Sequence, residues 1–191
     1  MGELTYSVHP TALVESEHIG PGTRIWAFVH VLPKAEIGRD CNIGDHCFIE
    51  GGVKIGDRVV IKNGVSIWAG VILEDLVFVG PNAVFTNDLT PRAKLFREDN
   101  FVTLVKEGAS IGANASLRCG ITVGRWAMVG MGSVVTEDVR DFALVYGVPA
   151  RPRGWVCICG NRLDLPQEGN GQSSCPCGRS YTLVERQVKE D

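Results

Sequence analysis

From Ile19 to Phe85 an aliphatic or aromatic side chain returns at every sixth residue without a break. The column reads Ile19, Ile25, Val31, Ile37, Ile43, Ile49, Ile55, Ile61, Ile67, Leu73, Val79 and Phe85. A second column, mostly of small residues, runs four places behind it, from Thr23, Val29, Ala35, Cys41 and Cys47 to Ala83. After a gap the pattern resumes at Val105, Ile111, Leu117, Val123, Val129 and Val135. A period of six matches neither the 3.6 of an amphipathic helix nor the 2 of an alternating strand. It specifies an all-β solenoid of short parallel strands.

In such a hexapeptide-repeat β-helix each unit supplies one short strand and one turn. Three units close a triangular coil, so residues 18 apart stack. Ile19, Ile37, Ile55 and Leu73 then form one internal ladder, and Ile25, Ile43, Ile61 and Val79 another. Gly often follows the large residue, as in Ile37-Gly38, Ile55-Gly56 and Ile111-Gly112. Glycine suits a sharp turn or a positive φ, so the turn is expected there. The clear units make about six coils, and Val8 and Val14 add part of another. At roughly 4.8 Å per coil the prism is about 30 Å long.

Net charge is −3 with both signs mixed along the chain, which disfavours nucleic acid or an anionic membrane as the main partner. The N-terminus carries no apolar signal segment and no stretch is long enough to span a bilayer. A cytoplasmic location is therefore expected. Cys41 and Cys47 take small inward positions and read as packing residues, and Cys119 falls in a turn.

The repeat is interrupted once, by a polar insertion at 86–104. A solenoid has no structural need of such an excursion, and long loops in compact proteins are often functional. Arg92, Lys94 and Arg97 give it a cationic side suited to phosphate or carboxylate, against the plainer reading of a solvated loop. Glu74 and Asp75 form an acidic pair at a turn, either an anchor for an ammonium group or an ordinary corner pair.

Four runs carry a resemblance: Phe85-Thr86-Asn87 through Pro91-Arg92, Thr103 to Ala109, Ile111 to Asn114, and Val145 to Arg151. Together they resemble the hexapeptide-repeat acyltransferases. More narrowly they resemble the bacterial N-acetyltransferases that modify nucleotide-linked 3-amino sugars. Arg24 to His30 shares the likeness, which spans about residues 5–155. The resemblance implies a left-handed coil, a homotrimer with sites between adjacent prisms, and acetyl-CoA as co-substrate. It implies as acceptor a UDP-linked 3-amino uronate for O-antigen synthesis. The alternatives are a dTDP-3-amino-3,6-dideoxyhexose and, outside enzymes, a solenoid scaffold. A carbonic anhydrase of the same architecture needs three convergent histidines, and His30 and His46 lack a matching third.

The same resemblance assigns roles. Asn87 orients the amine or acetyl group. His30 is a catalytic base, a substrate ligand or a structural residue, some three coils, or about 14 Å, from Asn87. Arg24, Trp26, His30, Glu74, Arg92, Arg97 and Thr103 are the substrate candidates. Lys106, Ala109, Gly112, Ala127, Gly130, Pro149 and Arg151 are the coenzyme candidates, with Lys106 and Arg151 toward its phosphates. Positioning a free amine supplies much of such a rate, and a backbone N–H can hold the oxyanion.

The solenoid is expected over 1–152, followed by a cysteine-rich hairpin at 153–183 and a frayed charged tail at 184–191. Cys157, Cys159, Cys175 and Cys177 form two Cys-x-Cys-Gly pairs that suggest a structural zinc ribbon, although the usual spacing is one residue longer. A disulfide-linked or vestigial hairpin is the alternative. Trp155, Tyr181 and Leu183 are expected to dock this unit on the prism end.

Overall fold

The computed structural model describes residues 5–95 and 101–191. Among the described residues there is no helix; the solenoid strands form three parallel sheets that close a triangular prism, and a fourth, three-stranded antiparallel sheet lies in the C-terminal unit. Face one runs from Ser7–Val8 through Arg24–Ile25 and Asn42–Ile43 to Met128–Val129 and Ala143–Gly147. Face two holds seven strands, from Leu13–Val14 and His30–Val31 to Ser116–Leu117 and Val134–Val135. Face three runs from His18–Ile19 to Thr103–Val105 and Thr122–Val123. This is the left-handed parallel β-helix, of about seven turns.

Strand partners lie 18 residues apart: Ile19 with Ile37, Ile37 with Ile55, Ile25 with Ile43, Ile43 with Ile61. The large residues of these ladders are almost completely buried, with Ile43, Ile49, Ile61, Ile67 and Ile111 at 0% exposure. Ile19, in the first coil, is only half-buried. Val8 and Val14 lie in strands of the expected N-terminal coil. Cys41, Cys47 and Cys119 are buried as small hydrophobes. Burial pushes the Cys41 and Cys47 thiols up, which keeps them unreactive.

The turn differs from expectation in one respect. Positive φ falls three residues after the large one, at Phe28 (57°), Asp40 (55°), His46 (59°) and Trp126 (54°) as well as at glycines. The glycine directly after the large residue has another purpose. A Cβ on Gly38 would lie 2.5 Å from the Gly56 carbonyl oxygen, and one on Gly112 would lie 2.5 Å from the Met131 nitrogen. Backbones of successive coils meet there, and only hydrogen fits. Each left-handed non-glycine costs roughly 1–2 kcal/mol, which the stacking of the coils offsets.

The insertion leaves register intact. Leu73 pairs with Val105 and Phe85 with Leu117, so partner separation rises from 18 to 32 and the loop adds 14 residues to one turn. The sheet then continues as though the loop were absent.

After the last coil, Ala150–Val156 turns back antiparallel on Ala143–Gly147 and pairs onward with Arg162–Leu163, so the C-terminal unit grows out of face one. Trp155, Tyr181 and Leu183 are buried, and Tyr181 meets Phe142 of the last coil at 5.7 Å between ring centroids. The tail is not frayed: Gln187–Glu190 pairs with Ser180–Val184, because Val188 is buried opposite Leu183.

Ile61→Ala is expected to cost about 2–5 kcal/mol, since it opens a void in a ladder that cannot collapse, while Lys62→Ala next to it costs under about 0.5. Urea denaturation followed by circular dichroism measures both; equal losses would contradict the ladder as the source of stability.

Candidate active site

The prism has three edges, and these decide which residues can meet. Asn87 follows the face-two strand Val84–Phe85, where the insertion leaves the edge between faces two and three. Thr86 anchors this exit. Its hydroxyl donates to the Leu117 carbonyl at 3.1 Å and accepts the Cys119 N–H at 2.9 Å, both on the next coil. The returning limb is fixed by the Thr103 N–H, which donates to the Gly70 carbonyl at 3.0 Å.

Asn87 is exposed and has no structural duty among the described residues. Its φ is not positive, and the side-chain turn that an Asn could make is made instead by Asp88, which accepts the Thr90 N–H at 2.7 Å. Asn offers both a carbonyl acceptor and an amide donor, suited to orienting an amine beside an acyl oxygen.

Toward the N-terminal end a line of aromatic rings leads up to this corner. His30 meets Phe48 edge to face at 5.7 Å between centroids, and Phe48 meets Trp68 at 5.5 Å. Trp68 lies one coil before Thr86, because Ser66 pairs with Val84. His30 Nε2 sits 2.8 Å from a Glu15 carboxylate oxygen, which fixes the ring. The sheet order places His30 and Asn87 three strands apart, about 14 Å. His30 therefore stands at the far end of the ring line and out of proton-transfer reach of Asn87 on the same chain. Phe48 and Trp68 escaped the sequence reading; their signal was the 18-residue offset that puts Phe48 one coil after His30 and Trp68 one coil before Thr86. Arg118 escaped it too. It is exposed one coil after Thr86 and places a cation beside the Asn87 corner.

Toward the C-terminal end, two coils beyond Asn87, a cavity of about 270 Å³ opens between the last coil and the strand Ala150–Val156. Glu137, Arg140, Ala150, Pro152 and Trp155 line it. Arg151 is exposed nearby, 3.5 Å from Glu137, in a pair too exposed to be worth more than about 1 kcal/mol. Pro149 occupies the exposed two-residue turn before it.

Other expected residues are placed elsewhere. Thr103 is a correction: it is 1% exposed, and its hydroxyl accepts the Gly120 N–H at 3.1 Å, so it is a core corner residue. Glu74 is a turn cap on the edge between faces three and one, accepting the Glu107 N–H at 2.8 Å. Lys106 shares that edge, one coil on from Glu74. Ala109 and Ala127 are buried, and their N–H and C=O groups are spent within and between coils. Neither can offer backbone to a pantetheine arm. Gly112 and Gly130 lie on the edge between faces one and two, with Trp26, whose indole N–H donates to Asn42 at 2.9 Å. Arg24 points outward from face one. Arg92 is exposed in the insertion, and Arg97 lies outside the described residues. One chain thus gathers Asn87, Arg118, the ring line and the cavity lined by Glu137 and Arg140 on and beside a single edge.

In the C-terminal unit the sulfurs of Cys157, Cys159, Cys175 and Cys177 all lie within 4.8 Å of one another. Two cross-pairs, Cys157 with Cys177 and Cys159 with Cys175, stand at 3.5 Å. A tetrahedron with metal–sulfur bonds of about 2.3 Å has edges of about 3.8 Å, so the set fits one zinc-sized ion.

Comparison with known proteins agrees with this architecture. Residues 18–51 and 52–87 match the bacterial transferase hexapeptide (six repeats), and residues 107–137 match the hexapeptide repeat of succinyl-transferase. The chain is 53% identical to dTDP-3-amino-3,6-dideoxy-alpha-D-galactopyranose 3-N-acetyltransferase of Aneurinibacillus thermoaerophilus, over 97% of this chain and 95% of that one. It is 33% identical over 89% of its length to the bifunctional protein GlmU of Brevibacillus brevis, of which it spans only 33%. Among solved structures it resembles a histidine variant of GDP-perosamine N-acetyltransferase from Caulobacter crescentus in complex with CoA and GDP-perosamine. That match has a TM-score of 0.50 and 26% identity, and covers 79% of this chain and 57% of that one. The chain belongs to the hexapeptide-repeat N-acetyltransferases.

Thr103→Val and Glu74→Ala are expected to lower thermal stability by about 1–2 kcal/mol each, because the Gly120 and Glu107 N–H groups lose their acceptors, and to leave the KM for either substrate unchanged. Differential scanning calorimetry with steady-state kinetics tests this; a several-fold rise in KM at native stability would restore them to the site.

Proposed function

We propose that the protein transfers the acetyl group of acetyl-CoA to the 3-amino group of a nucleotide-linked 3-amino-3,6-dideoxyhexose carried by dTDP. The observation that carries this reading is Asn87, an exposed side chain without structural duty among the described residues, between an aromatic line on one side and the C-terminal cavity on the other. The 53% identical relative, named for a dTDP-3-amino-3,6-dideoxygalactose, favours this acceptor over the UDP-linked uronate first expected.

In this reading the nucleotide lies along His30, Phe48 and Trp68, with the sugar amine at Asn87. Base–aromatic stacking needs only a flat ring and tolerates different bases. The coenzyme approaches from the C-terminal cavity, its phosphates toward Arg151. The amine attacks the thioester carbonyl, and the tetrahedral intermediate collapses as the C–S bond breaks. Asn87 holds the amine by its amide oxygen. Having no titratable group near neutral pH, it cannot take the proton. The proton lost by the amine passes to water or to the departing thiolate.

A homotrimer completes the arrangement. Trp26 and Phe28 project from the edge between faces one and two at 45% and 57% exposure, an apolar surface a neighbouring prism would cover. Packing that edge against the Asn87 edge of the next chain would bring Gly112 and Gly130 to the coenzyme path. A cytoplasmic enzyme is consistent with the absence, among the described residues, of any helix long and apolar enough to cross a membrane.

Asn87→Ala is expected to lower kcat by about 10²-fold or more with the trimer intact by light scattering. Trp68→Ala should raise KM for the nucleotide sugar about tenfold, and leave KM for acetyl-CoA unchanged. Thiol release from acetyl-CoA is the assay, with dTDP-3-amino-3,6-dideoxygalactose and a UDP-3-amino uronate as rival acceptors. Release with neither acceptor sinks the reading; faster release with the uronate reverses the choice of substrate.

A further inference from the structure

We propose that Cys157, Cys159, Cys175 and Cys177 bind one structural zinc ion that locks the C-terminal cap onto the last coil. The convergence of the sulfurs is only part of the argument. The two cysteine pairs lie in matching turns. The Cys157 N–H donates to the Asn161 carbonyl at 2.8 Å, and the Cys175 N–H donates to the Arg179 carbonyl at 2.8 Å. Within each turn the glycine N–H donates back to the first cysteine carbonyl, Gly160 to Cys157 at 2.8 Å and Gly178 to Cys175 at 2.9 Å. Both glycines hold left-handed φ values, 88° and 93°. The sequence spacing, one residue short of the usual pair, is thus made good by a tighter turn that still presents both sulfurs to one point.

The surroundings suit a centre of net charge −2. The Cys159 N–H points at the Cys157 sulfur at 3.4 Å, the Arg179 guanidinium at the Cys177 sulfur at 3.5 Å, and the Asn161 amide at the Cys175 sulfur at 3.8 Å. The Tyr181 hydroxyl lies 3.0 Å from the Cys157 sulfur and also accepts the Ile158 N–H at 3.2 Å. Such outer-shell donors orient and stabilise thiolate ligands. Two cross-turn disulfides would instead draw Cys157 to Cys177 and Cys159 to Cys175 at about 2.05 Å, whereas both pairs stand at 3.5 Å.

Four thiolates fill a tetrahedron and leave no position for water, so the ion is structural. On binding, the four thiols release their protons to solvent and no electrons move. Cys157 directly follows the strand Ala150–Val156 that turns back on the last strand of the coil, and Tyr181 bridges the cysteine turn to Phe142 of the last coil. The ion therefore ties the far ends of the cap to the edge of the solenoid, where an open parallel sheet would otherwise expose unpaired backbone.

The test uses the full chain, expressed with zinc and purified under reducing conditions. Elemental analysis is expected to give about one zinc per chain. Exchange into cobalt(II) should give the thiolate charge-transfer bands in the near ultraviolet and the visible bands of a tetrahedral site. Cys177→Ser and Cys159→Ser, at the two exposed positions, should lose at least about nine-tenths of the zinc and melt lower, with the β-helix spectrum retained. Should the variants fail to fold, the cobalt spectrum of the unaltered protein still decides. Metal-free protein with four free thiols, a mass four hydrogens lighter, or iron in place of zinc would each overturn the proposal. None of these readouts depends on acetyl transfer.

Discussion

Everything in this molecule depends on identical inward positions stacking from coil to coil at backbone contact distance. Ile19 above Ile37 above Ile55 is an apolar column, but the column closes only because Gly38 and its counterparts carry no side chain. The same closeness makes left-handed turns at Phe28, Asp40 and His46 tolerable, since neighbouring coils fix the backbone on both sides. Stability is therefore a sum of nearest-neighbour contacts along one axis, as in other solenoids.

That regularity also limits where chemistry can occur. The inward column is full and the faces are committed to sheet hydrogen bonds, so variable function collects at edges and outward positions. The insertion leaves from one edge, and Thr86 repairs the break by bonding to Leu117 and Cys119 on the following coil. The repair fixes the backbone next to Asn87 to the following coil. The coenzyme candidates Gly112 and Gly130 lie on a different edge of the same prism. Asn87 and these two glycines therefore stand on different edges of one chain.

A solenoid must also stop. At the C-terminal end the chain turns back antiparallel through Ala150–Val156 and covers the last coil with Trp155, Tyr181 and Leu183. The covering unit is small, with a core of few residues. Small units of this kind generally need a metal or disulfides to hold their shape. Its four cysteines sit where such a clamp would be most effective, between two turns and against the capping tyrosine.

Period six determined the solenoid, the inward ladders, the single interruption and the identity of Asn87 as the residue at its mouth, because each is a property of spacing along the chain. The paired cysteines and the cap residues Trp155, Tyr181 and Leu183 were legible for the same reason. Only the tertiary structure decided the rest. Thr103 and Glu74 have polar side chains in suggestive places, yet their partners, the N–H groups of Gly120 and Glu107, are 17 and 33 residues away and visible only once coils stack. Phe48, Trp68 and Arg118 acquire meaning only as neighbours of the Asn87 corner. Val188 orders a tail that composition alone marks as frayed. A one-dimensional pattern fixes what faces inward, because burial repeats with the strand. What meets on the outside depends on which edge and which coil each residue occupies, and that is a fact of three dimensions.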